Sequence, residues 1–570
     1  MKDTDKVFCR ILLDVLEAGG ITDIVASPGS RNAPLLISCS YRDTFNTRVI
    51  TDERTAAFVA LGIATVSQRP VVLLCTSGTA LYNYAPAIAE AFYQKLPLIV
   101  ISADRPFQWI DQNDSQTLVQ PGALEKIVKK SFDIPADSGN EELEWYVNRI
   151  ANEALYIASG KDAGPVHINI QFEAPLSNTV EIVKEPPRLI ETISPQPRFS
   201  PIQINNLTSR LFGKKILVVA GFQQPDAELN RFVSLFASLP GVKVMAETLS
   251  NLHLPGNPYA IDSVLAGLDR EQKDALRPDI VISIGGALVS RMLKEYIREE
   301  RPAIWSLGDS SPGIDCFKSL SLYIDTPPAF FFKALYLTLK KRYDKDSESS
   351  KKMRGYSSLW NRITSAQLSI RESFISECEW SELRAFRYIL AHIPSSFNLF
   401  LSNGTCVRYA QLFTEQIPHA SYSNRGVSGI EGTTATAAGC AMAYKGSTLL
   451  ITGDMSFAYS PGVMGIEGLP DCFKIIVINN RGGGIFRFIS PTRYIEHRDR
   501  FFCADPKGPC KGLAEAYEWT YFFADSEQAL EENLNKFLHH PSKALLEIYS
   551  DEEYSASILR RFMRLNGMTK

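Results

Sequence analysis

Residues 453–486 begin with G-D-M-S-F-A-Y-S and end with N-N-R-G-G-G-I-F, and this stretch decides the fold. A short apolar run, 449–452, precedes the G-D pair, and a second run, 474–478, precedes the N-N pair. Both runs are typical of buried parallel strands. Ligands of open α/β sheets bind beyond the carboxyl ends of such strands, so the two polar pairs predict a binding site.

The polar residues at these two strand ends suit a metal ion and a phosphate. Asp454 offers a carboxylate and Asn480 an amide oxygen, and hard oxygen donors of this kind bind Mg²⁺ together with the phosphates of a ligand. Met455 and Ser456 begin the following turn, where backbone N–H groups and a helix N-terminus favour phosphate. Either pair alone is most often an ordinary turn. The two together, each after an apolar run, predict a diphosphate–metal clamp.

Composition excludes several other classes of protein. A chain of 570 residues is too long for one core and predicts about three domains. With 45% apolar residues, 22% charged residues and a net charge of −3, no nucleic-acid-binding or membrane surface is indicated. No apolar run is long enough for a transmembrane helix, and the first residues lack the apolar core of a signal peptide. We therefore expect a soluble cytoplasmic protein without stable membrane insertion.

Cysteine and histidine usage argues against two kinds of site. The ten cysteines include no C-x-x-C pair, which favours buried free thiols over zinc or disulfides. None of the seven histidines falls in a candidate site motif. A histidine-based triad or a zinc centre therefore has little support.

Apolar runs that alternate with helical patterns predict an α/β protein with three doubly wound parallel-sheet domains. We place these domains at 1–185, 200–340 and 357–570. The proline-rich stretch 177–201 is predicted to be a linker. The charged, serine-rich stretch 340–356 is predicted to be a solvated, mobile boundary.

Polar motifs follow several of the predicted strands of the first and third domains. They are S-P-G-S-R-N (27–32), D-E-R-T-A-A-F (52–58), T-S-G-T-A (76–80), A-D-R-P (103–106) and S-N-R-G-V-S-G-I-E-G (423–432). Together with the clamp, they resemble the 2-succinyl-5-enolpyruvyl-6-hydroxy-3-cyclohexene-1-carboxylate synthases, the thiamine-diphosphate enzymes of menaquinone biosynthesis. The resemblance covers nearly the whole chain and is weakest in the middle domain.

The resemblance implies a transferase that uses thiamine diphosphate and Mg²⁺, with Mn²⁺ as an alternative metal. Such an enzyme decarboxylates 2-oxoglutarate and adds the product to isochorismate. The resemblance also implies a homodimer, or a dimer of dimers. Each active site would lie between the first domain of one subunit and the third domain of another.

Roles for individual residues follow from the matching motifs. Glu53 would be the catalytic residue, hydrogen-bonded to N1′ of the aminopyrimidine, and Asp454, Asn480 and the carbonyl of Gly482 would hold the metal. Residues implied to bind the cofactor are Ser428, Gly429, Ile430, Asp454, Met455, Ser456, Asn480, Gly482 and Ile485, with Ile430 as the prop of its bent form. Residues implied to bind the substrates are Ser30, Arg31, Asn32, Arg105 and Gln116 for isochorismate, Arg408 and Arg425 for 2-oxoglutarate, Arg291, and the pocket residues Phe486 and Ile489.

Two positions depart from the family pattern. Gly404 stands where relatives carry a serine, with Thr405 next, and Arg291-Met292 stands where some relatives carry Lys-Arg. Only Arg291 can be carried over from that pair.

Several alternatives stay open at this point. Glu53 could be a solvated carboxylate at a helix start, and any single arginine a surface residue. The chain could also be a thiamine-diphosphate enzyme acting on pyruvate, or a catalytically silent cofactor-binding protein. Both expected substrates are dicarboxylates, which suits several guanidinium groups, because each binds a carboxylate through two parallel hydrogen bonds.

Overall fold

The protein is described by a computed structural model that covers residues 2–565, apart from 138, 194–197, 255–259, 309–312, 414–416, 418, 419 and 507–509. The chain divides into two compact units. One contains residues 1–194, 424–448 and 456–473, and the other contains 195–423, 449–455 and 474–570. The division near 194 falls within the predicted linker. Three parallel sheets with flanking helices confirm the predicted α/β class.

The first sheet is built from the amino-terminal part of the chain. The elements there are β1 (Lys2–Thr4), α1 (Val7–Ala18), β2 (Asp23–Ala26), α2 (Ala33–Ser40), β3 (Asn46–Val49), α3 (Glu53–Ser67), β4 (Val71–Cys75), α4 (Ala80–Asn83), α5 (Ala85–Gln94), β5 (Leu98–Asp104), β6 (Lys130–Ile134), α6 (Glu141–Ser159), β7 (Val166–Gln171) and β8 (Thr179–Glu181). Six of these strands form a parallel sheet in the order β3-β2-β4-β5-β7-β6, and β1 pairs with β8 antiparallel. Strands β4 and β5 are buried along their whole length, as expected when helices cover both faces.

The second sheet has five parallel strands in the order β10-β9-β11-β12-β13. The elements there are α7 (Pro201–Leu211), β9 (Ile216–Ala220), α8 (Ala227–Ala237), β10 (Val242–Ala246), α9 (Ile261–Leu265), α10 (Arg270–Leu276), β11 (Ile280–Ile284), α11 (Arg291–Glu300), β12 (Ala303–Leu307), β13 (Leu320–Ile324), α12 (Pro328–Lys345) and α13 (Ser347–Glu377).

The third sheet has six strands in the order β15-β14-β16-β17-β19-β18. The elements there are α14 (Glu382–His392), β14 (Asn398–Leu401), α15 (Cys406–Gln411), β15 (Ser421–Tyr422), α16 (Thr433–Ala443), β16 (Thr448–Gly453), α17 (Asp454–Ala458), β17 (Phe473–Asn479), α18 (Gly484–Phe488), α19 (Ser490–Arg493), α20 (Cys510–Ala516), β18 (Thr520–Ala524), α21 (Glu527–Leu538), β19 (Ala544–Tyr549) and α22 (Glu552–Phe562). The two strands predicted to flank the clamp are β16 and β17, and they are neighbours in the sheet.

The charged stretch 340–356, predicted to be a solvated, mobile boundary, is helical, and most of its residues are exposed or half-buried. It forms the end of α12 and the beginning of α13, a helix of 31 residues. Met353 and Tyr356 are buried in this stretch and pack into cores of the second sheet. The polar composition belongs to the exposed face of the helix. The domain boundaries themselves remain predictions.

Helices α3 and α16 approach each other closely in the amino-terminal unit. A Cβ atom added at Gly62 would strike the carbonyl oxygen of Thr436, and one added at Gly439 would strike that of Val59. Val59 and Thr436 each stand three residues before the glycine of their own helix, so the contact is reciprocal. The small-residue sequences of both helices therefore serve close backbone packing.

We predict opposite effects for two Gly→Ala substitutions within helices. Gly62→Ala should lower the free energy of unfolding by about 1–3 kcal/mol, because its methyl group meets backbone that cannot move away. Gly355→Ala in α13 should raise it by about 0.5–1 kcal/mol, because a Cβ there meets nothing within 4 Å. Urea unfolding of both variants, followed by circular dichroism, measures the difference. A higher urea midpoint for Gly62→Ala than for the wild type would contradict the close approach.

Candidate active site

The loops that follow β2 and β4 contact each other at the carboxyl edge of the first sheet. The backbone N–H of Arg31 donates to Thr76 Oγ1 at 3.3 Å. A Cβ at Gly29 would lie only 2.6 Å from the same oxygen. The motifs S-P-G-S-R-N and T-S-G-T-A are thus adjacent, as their positions at strand ends predict.

Two arginines predicted to bind isochorismate lie close to each other. Arg31 Nη1 donates to the carbonyl of Phe172 at 2.8 Å, and Arg105 Nε donates to that of Ser115 at 2.9 Å. Arg105 also pairs with Asp114 at 2.9 Å. Burial, and then the neighbouring Arg105 guanidinium, lower the pKa of Arg31. This concentration of positive charge at one sheet edge suits an anionic ligand.

The other three residues predicted for this substrate differ in exposure. Ser30 is exposed, and Gln116 is an exposed residue with a φ of 55° whose backbone lies beside Gly78. Asn32 is fully buried and its amide donates to the Ser27 carbonyl at 2.9 Å. The structure therefore places Asn32 inside its loop, with its amide group used to shape that loop.

Glu53 is the first residue of α3 and is half-buried. Asp52 caps this helix by accepting a hydrogen bond from the backbone N–H of Thr55 at 3.2 Å. Burial, and then the Glu53 carboxylate, raise the pKa of the Cys75 thiol at the end of β4. Glu53 thus lies near the same edge of the first sheet as the two arginines.

A buried polar network that the sequence analysis missed supports these loops. Gln120 Oε1 accepts from the backbone N–H of Gly78 at 2.7 Å, and its Nε2 donates to Asn169 Oδ1 at 2.8 Å. Asn169 Nδ2 donates in turn to Asp104 Oδ2 at 3.0 Å, and burial raises the pKa of Asp104 to about 6. The network ties the ends of β4, β5 and β7 together.

Glu90 on α5 holds the loop that carries Arg425. Its two carboxylate oxygens accept the backbone N–H groups of Gly426 at 2.5 Å and Val427 at 2.7 Å. Glu90 is 1% exposed, and a Cβ at Gly426 would lie 2.5 Å from the Glu90 carbonyl oxygen. Arg425 itself is half-buried. The position of its backbone is therefore set by a buried carboxylate of the amino-terminal segment.

Ile430 lies in the turn that precedes α16. The hydroxyl of Ser456 donates to its carbonyl at 2.6 Å. Ser428 has a φ of 63°, and a Cβ at Gly429 would strike the Glu431 carboxylate. The structure thus brings together four residues predicted to bind the cofactor, namely Ser428, Gly429, Ile430 and Ser456.

Asp454 connects the ends of β16 and β17. Its carboxylate accepts the backbone N–H of Met455 at 2.7 Å and that of Gly482 at 2.6 Å. Met455 Sδ accepts the N–H of Gly483 at 2.9 Å. Burial raises the pKa of Asp454 against the effect of these backbone hydrogen bonds. Predicted clamp residues from both strand ends are therefore in direct contact.

The amide of Asn480 and the carbonyl of Gly482 have partners that the sequence analysis missed. Asn480 Nδ2 donates to Glu382 Oε1 at 2.7 Å, and burial raises the pKa of Glu382 to about 7. Arg487 Nη1 donates to the Gly482 carbonyl at 2.9 Å. Gly482 has a φ of 88°, and a Cβ there would strike the Cys503 carbonyl, so this turn requires glycine.

This donor set fits a divalent cation. A carboxylate, an amide oxygen and a backbone carbonyl are hard ligands of the kind that Mg²⁺ accepts. Among the described side chains, the buried Glu382 Oε2 has no hydrogen-bond partner. The described residues contain no group of three or more His, Cys, Asp or Glu side chains that could hold a metal, so this site depends on the amide and the carbonyl.

The structure places Arg408 and Arg291 in different surroundings. Arg408 is half-buried and donates to the Gly404 carbonyl, and it lies near the buried Asp262. The Arg291 side chain is 76% exposed and pairs with Glu295 at 2.6 Å, as a surface arginine does. Lys294, one helical turn further along, also lies near Asp262. Sequence reasoning pointed to neither Asp262 nor Lys294.

The predicted pocket residues Ile485, Phe486 and Ile489 are half-buried. The ring centroid of Phe486 lies 5.7 Å from that of Phe502. Phe488 packs against the core of the third sheet.

A separate cavity of about 510 Å³ lies between α7 and α12 at the second sheet. Arg198, Asp325 and Phe330 are among its lining residues, which include none of the predicted site residues. In the part of the chain that the structure describes, no helix has the length and apolar character needed to cross a bilayer.

Glu90 is the missed residue that the sequence could have revealed. It stands in A-I-A-E-A-F, an acid among small apolar residues on a helix that must be buried. Glu382 gave no such signal, because an acid at a helix start is common. Nothing in the sequence around Arg487 pointed to its role.

Two family models match the chain. Residues 8–123 match the thiamine pyrophosphate enzyme, N-terminal TPP binding domain, and residues 402–548 match the C-terminal TPP binding domain. These matches contain all the predicted site residues except Arg291, which lies between the two matched ranges.

Similar proteins cover nearly the whole chain. The 2-succinyl-5-enolpyruvyl-6-hydroxy-3-cyclohexene-1-carboxylate synthase of Porphyromonas gingivalis is 39% identical over 98% of this chain and 97% of its own length. Proteins of the same name from Cytophaga hutchinsonii and Flavobacterium johnsoniae are 35% and 34% identical, each over 97% of this chain and over 97% and 98% of their own lengths. The chain therefore belongs to the thiamine-diphosphate-dependent 2-succinyl-5-enolpyruvyl-6-hydroxy-3-cyclohexene-1-carboxylate synthase family.

Proposed function

We propose that this protein joins 2-oxoglutarate, with loss of CO₂, to isochorismate in menaquinone biosynthesis. The observation that carries the proposal is the contact between Asp454 and the Gly482 turn, which brings hard oxygen ligands from two strand ends together. The similarity to named synthases over nearly the full chain supports the choice of substrates. We further propose that the protein acts as a cytoplasmic homodimer whose domains are 1–185, 200–340 and 357–570.

Asp454, Asn480 and the carbonyl of Gly482 would hold Mg²⁺, with Mn²⁺ as a substitute. Thiamine diphosphate, when bound, supplies the carbanion chemistry of the reaction. The chain's own residues would place it: Ile430 supports the bent form, and Glu53 holds a proton at N1′ of the aminopyrimidine. Ser428, Gly429, Met455, Ser456 and Ile485 would complete the cofactor site.

Two groups of arginines would divide the substrates between them. Arg31 and Arg105, with Ser30 and Gln116, would face isochorismate, and the buried Asn32 would shape their loop. The proximity of the two arginines favours a ligand with more than one negative charge. Arg408 and Arg425 would bind the carboxylates of 2-oxoglutarate. Phe486 and Ile489 would form an apolar wall. A pyruvate-specific enzyme needs to bind only one carboxylate, so this set of arginines favours the two dicarboxylates.

Direct detection of the product tests the proposal. Purified protein incubated with thiamine diphosphate, Mg²⁺, 2-oxoglutarate and isochorismate should form the named carboxylate and release CO₂, measured by mass spectrometry. Pyruvate in place of 2-oxoglutarate serves as the control and should yield no adduct. Adduct formation with pyruvate alone would overturn the assignment.

We predict that Arg425→Gln and Glu90→Gln affect the same substrate. Removing the guanidinium should cost about 2–5 kcal/mol in kcat/KM for 2-oxoglutarate, because a buried carboxylate loses its partner. Glu90→Gln leaves Arg425 in place but weakens the two backbone hydrogen bonds that hold its loop, so the loss should be smaller and confined mainly to KM for 2-oxoglutarate.

The isochorismate kinetics of both variants provide the internal control, and Arg31→Gln should show the reverse pattern. If Arg425→Gln lowers kcat/KM only for isochorismate, the assignment of the two subsites must be reversed. A normal KM for 2-oxoglutarate in Glu90→Gln would show that Glu90 has no part in placing Arg425.

Mixing two inactive variants tests the proposed shared site. In a twofold dimer each site would combine Glu53 of one chain with Asp454 of the other. A mixed dimer of Glu53→Ala and Asp454→Ala chains then has one site with both changes and one intact site. Random exchange makes half the dimers mixed, so activity should return to about a quarter of the wild-type value. Verified exchange without recovery would mean that both residues act within one chain.

A further inference from the structure

The Asn480 amide can present either its oxygen or its NH₂ group to a ligand, and only the oxygen binds a cation. Asn480 and Glu382 are each 4% exposed, so neither side chain is oriented by bulk water. Asn480 Nδ2 donates to Glu382 Oε1 at 2.7 Å across 98 residues of sequence. The orientation of the Asn480 amide is therefore determined by its contacts within the protein.

The structure gives the direction of this hydrogen bond. The NH₂ half of the amide is the donor and the Glu382 carboxyl oxygen is the acceptor. The opposite flip would turn the amide oxygen toward Glu382, where it could not bind a cation. With the NH₂ group held by Glu382, Asn480 Oδ1 is left for another partner.

Glu382 is itself held in place. It is the first residue of α14, and its backbone N–H donates to Ser555 Oγ at 3.2 Å. Its charged neighbours are the Asp454 carboxylate and the Arg487 guanidinium. Glu382 therefore lies beside the carboxylate that is predicted to bind the metal.

We propose that Glu382 is a positioning residue that orients the Asn480 amide so that its oxygen faces the divalent cation. This inference rests on the proposed function, because it assumes that Asn480 is a metal ligand. Glu382 would contact neither the metal nor the substrates. It would act only through Asn480.

The measurement is the affinity of the full-length protein for Mn²⁺ in the presence of thiamine diphosphate, read from the electron paramagnetic resonance signal of free Mn²⁺. Glu382→Gln keeps the shape of the side chain but can present either an oxygen or an NH₂ group, so the amide orientation is no longer enforced. Loss of a partner of a metal ligand typically weakens metal binding about 10–100-fold, and we expect a loss in this range. Glu300→Gln, a change at a buried carboxylate beside the second sheet, is the matched control and should bind Mn²⁺ normally.

A compensating substitution separates orientation from general damage. In the double variant Glu382→Gln/Asn480→Asp, the aspartate has an oxygen on both sides and accepts from the glutamine NH₂ group. Its Mn²⁺ affinity should therefore exceed that of Glu382→Gln alone. Asn480→Asp by itself should bind Mn²⁺ poorly, since two carboxylates would then face each other. This pattern does not arise if Glu382 merely stabilises the fold.

The outcomes also distinguish this role from the clamp itself. If Asp454→Ala binds Mn²⁺ and thiamine diphosphate as the wild type does, the clamp assignment fails, and the role of Glu382 fails with it. If Asp454→Ala loses binding while Glu382→Gln retains it, only the positioning role is overturned. An affinity of the double variant no better than that of Glu382→Gln would also overturn it.

Discussion

The hydrogen bond from the Gly482 N–H to the Asp454 carboxylate, at 2.6 Å, is the interaction on which the third sheet's site depends. It joins the ends of two neighbouring strands and fixes the turn between β17 and α18. Arg487 donates to the Gly482 carbonyl of the same turn. Glu382 accepts a hydrogen bond from the neighbouring Asn480 amide. Each proposed ligand atom is thus placed by a buried partner, so the site is preorganised rather than assembled by the ligand.

The first and third sheets share one plan. Their strand orders, β3-β2-β4-β5-β7-β6 and β15-β14-β16-β17-β19-β18, correspond position by position. Helices α3 and α16 follow corresponding edge strands. The two helices pack against each other through equivalent contacts at Gly62 and Gly439. The loops at the carboxyl edge of the first sheet hold the arginines proposed to bind anions, and those of the third sheet hold the proposed clamp.

Sequence reasoning was most successful where an apolar run is unbroken. The predicted runs around the clamp, 449–452 and 474–478, are β16 and β17 within one residue at each end. The partly exposed strands β6 and β18 were not predicted, and neither were the buried strands β7 and β19, whose sequences include polar residues. The polar motifs could be assigned to a site because the carboxyl ends of parallel strands lie at one edge of the sheet, whatever the other contacts of the chain.

The contacts that hold the site could not be read from local sequence. Glu90 and Gly426 are 336 residues apart, and Glu382 and Asn480 are 98 apart. Only the folded chain brings such partners together. The helix in the stretch 340–356 was not predicted for a different reason. The charges of this stretch hid the spacing of Met353, Tyr356 and Trp360, which places all three on one face of a helix.

Helix α13 contacts the cores of two sheets in the larger compact unit, so the rotation of the helix between these contacts is fixed. Its 31 residues span about 46 Å, with Met353 and Trp360 in cores of the second sheet and Ile375 in the core of the third. Successive residues of an α-helix are rotated by about 100° about the helix axis. A single residue inserted between Trp360 and Ile375 would therefore rotate one apolar face away from its core, whereas a substitution on the exposed face of the helix would leave both contacts in place.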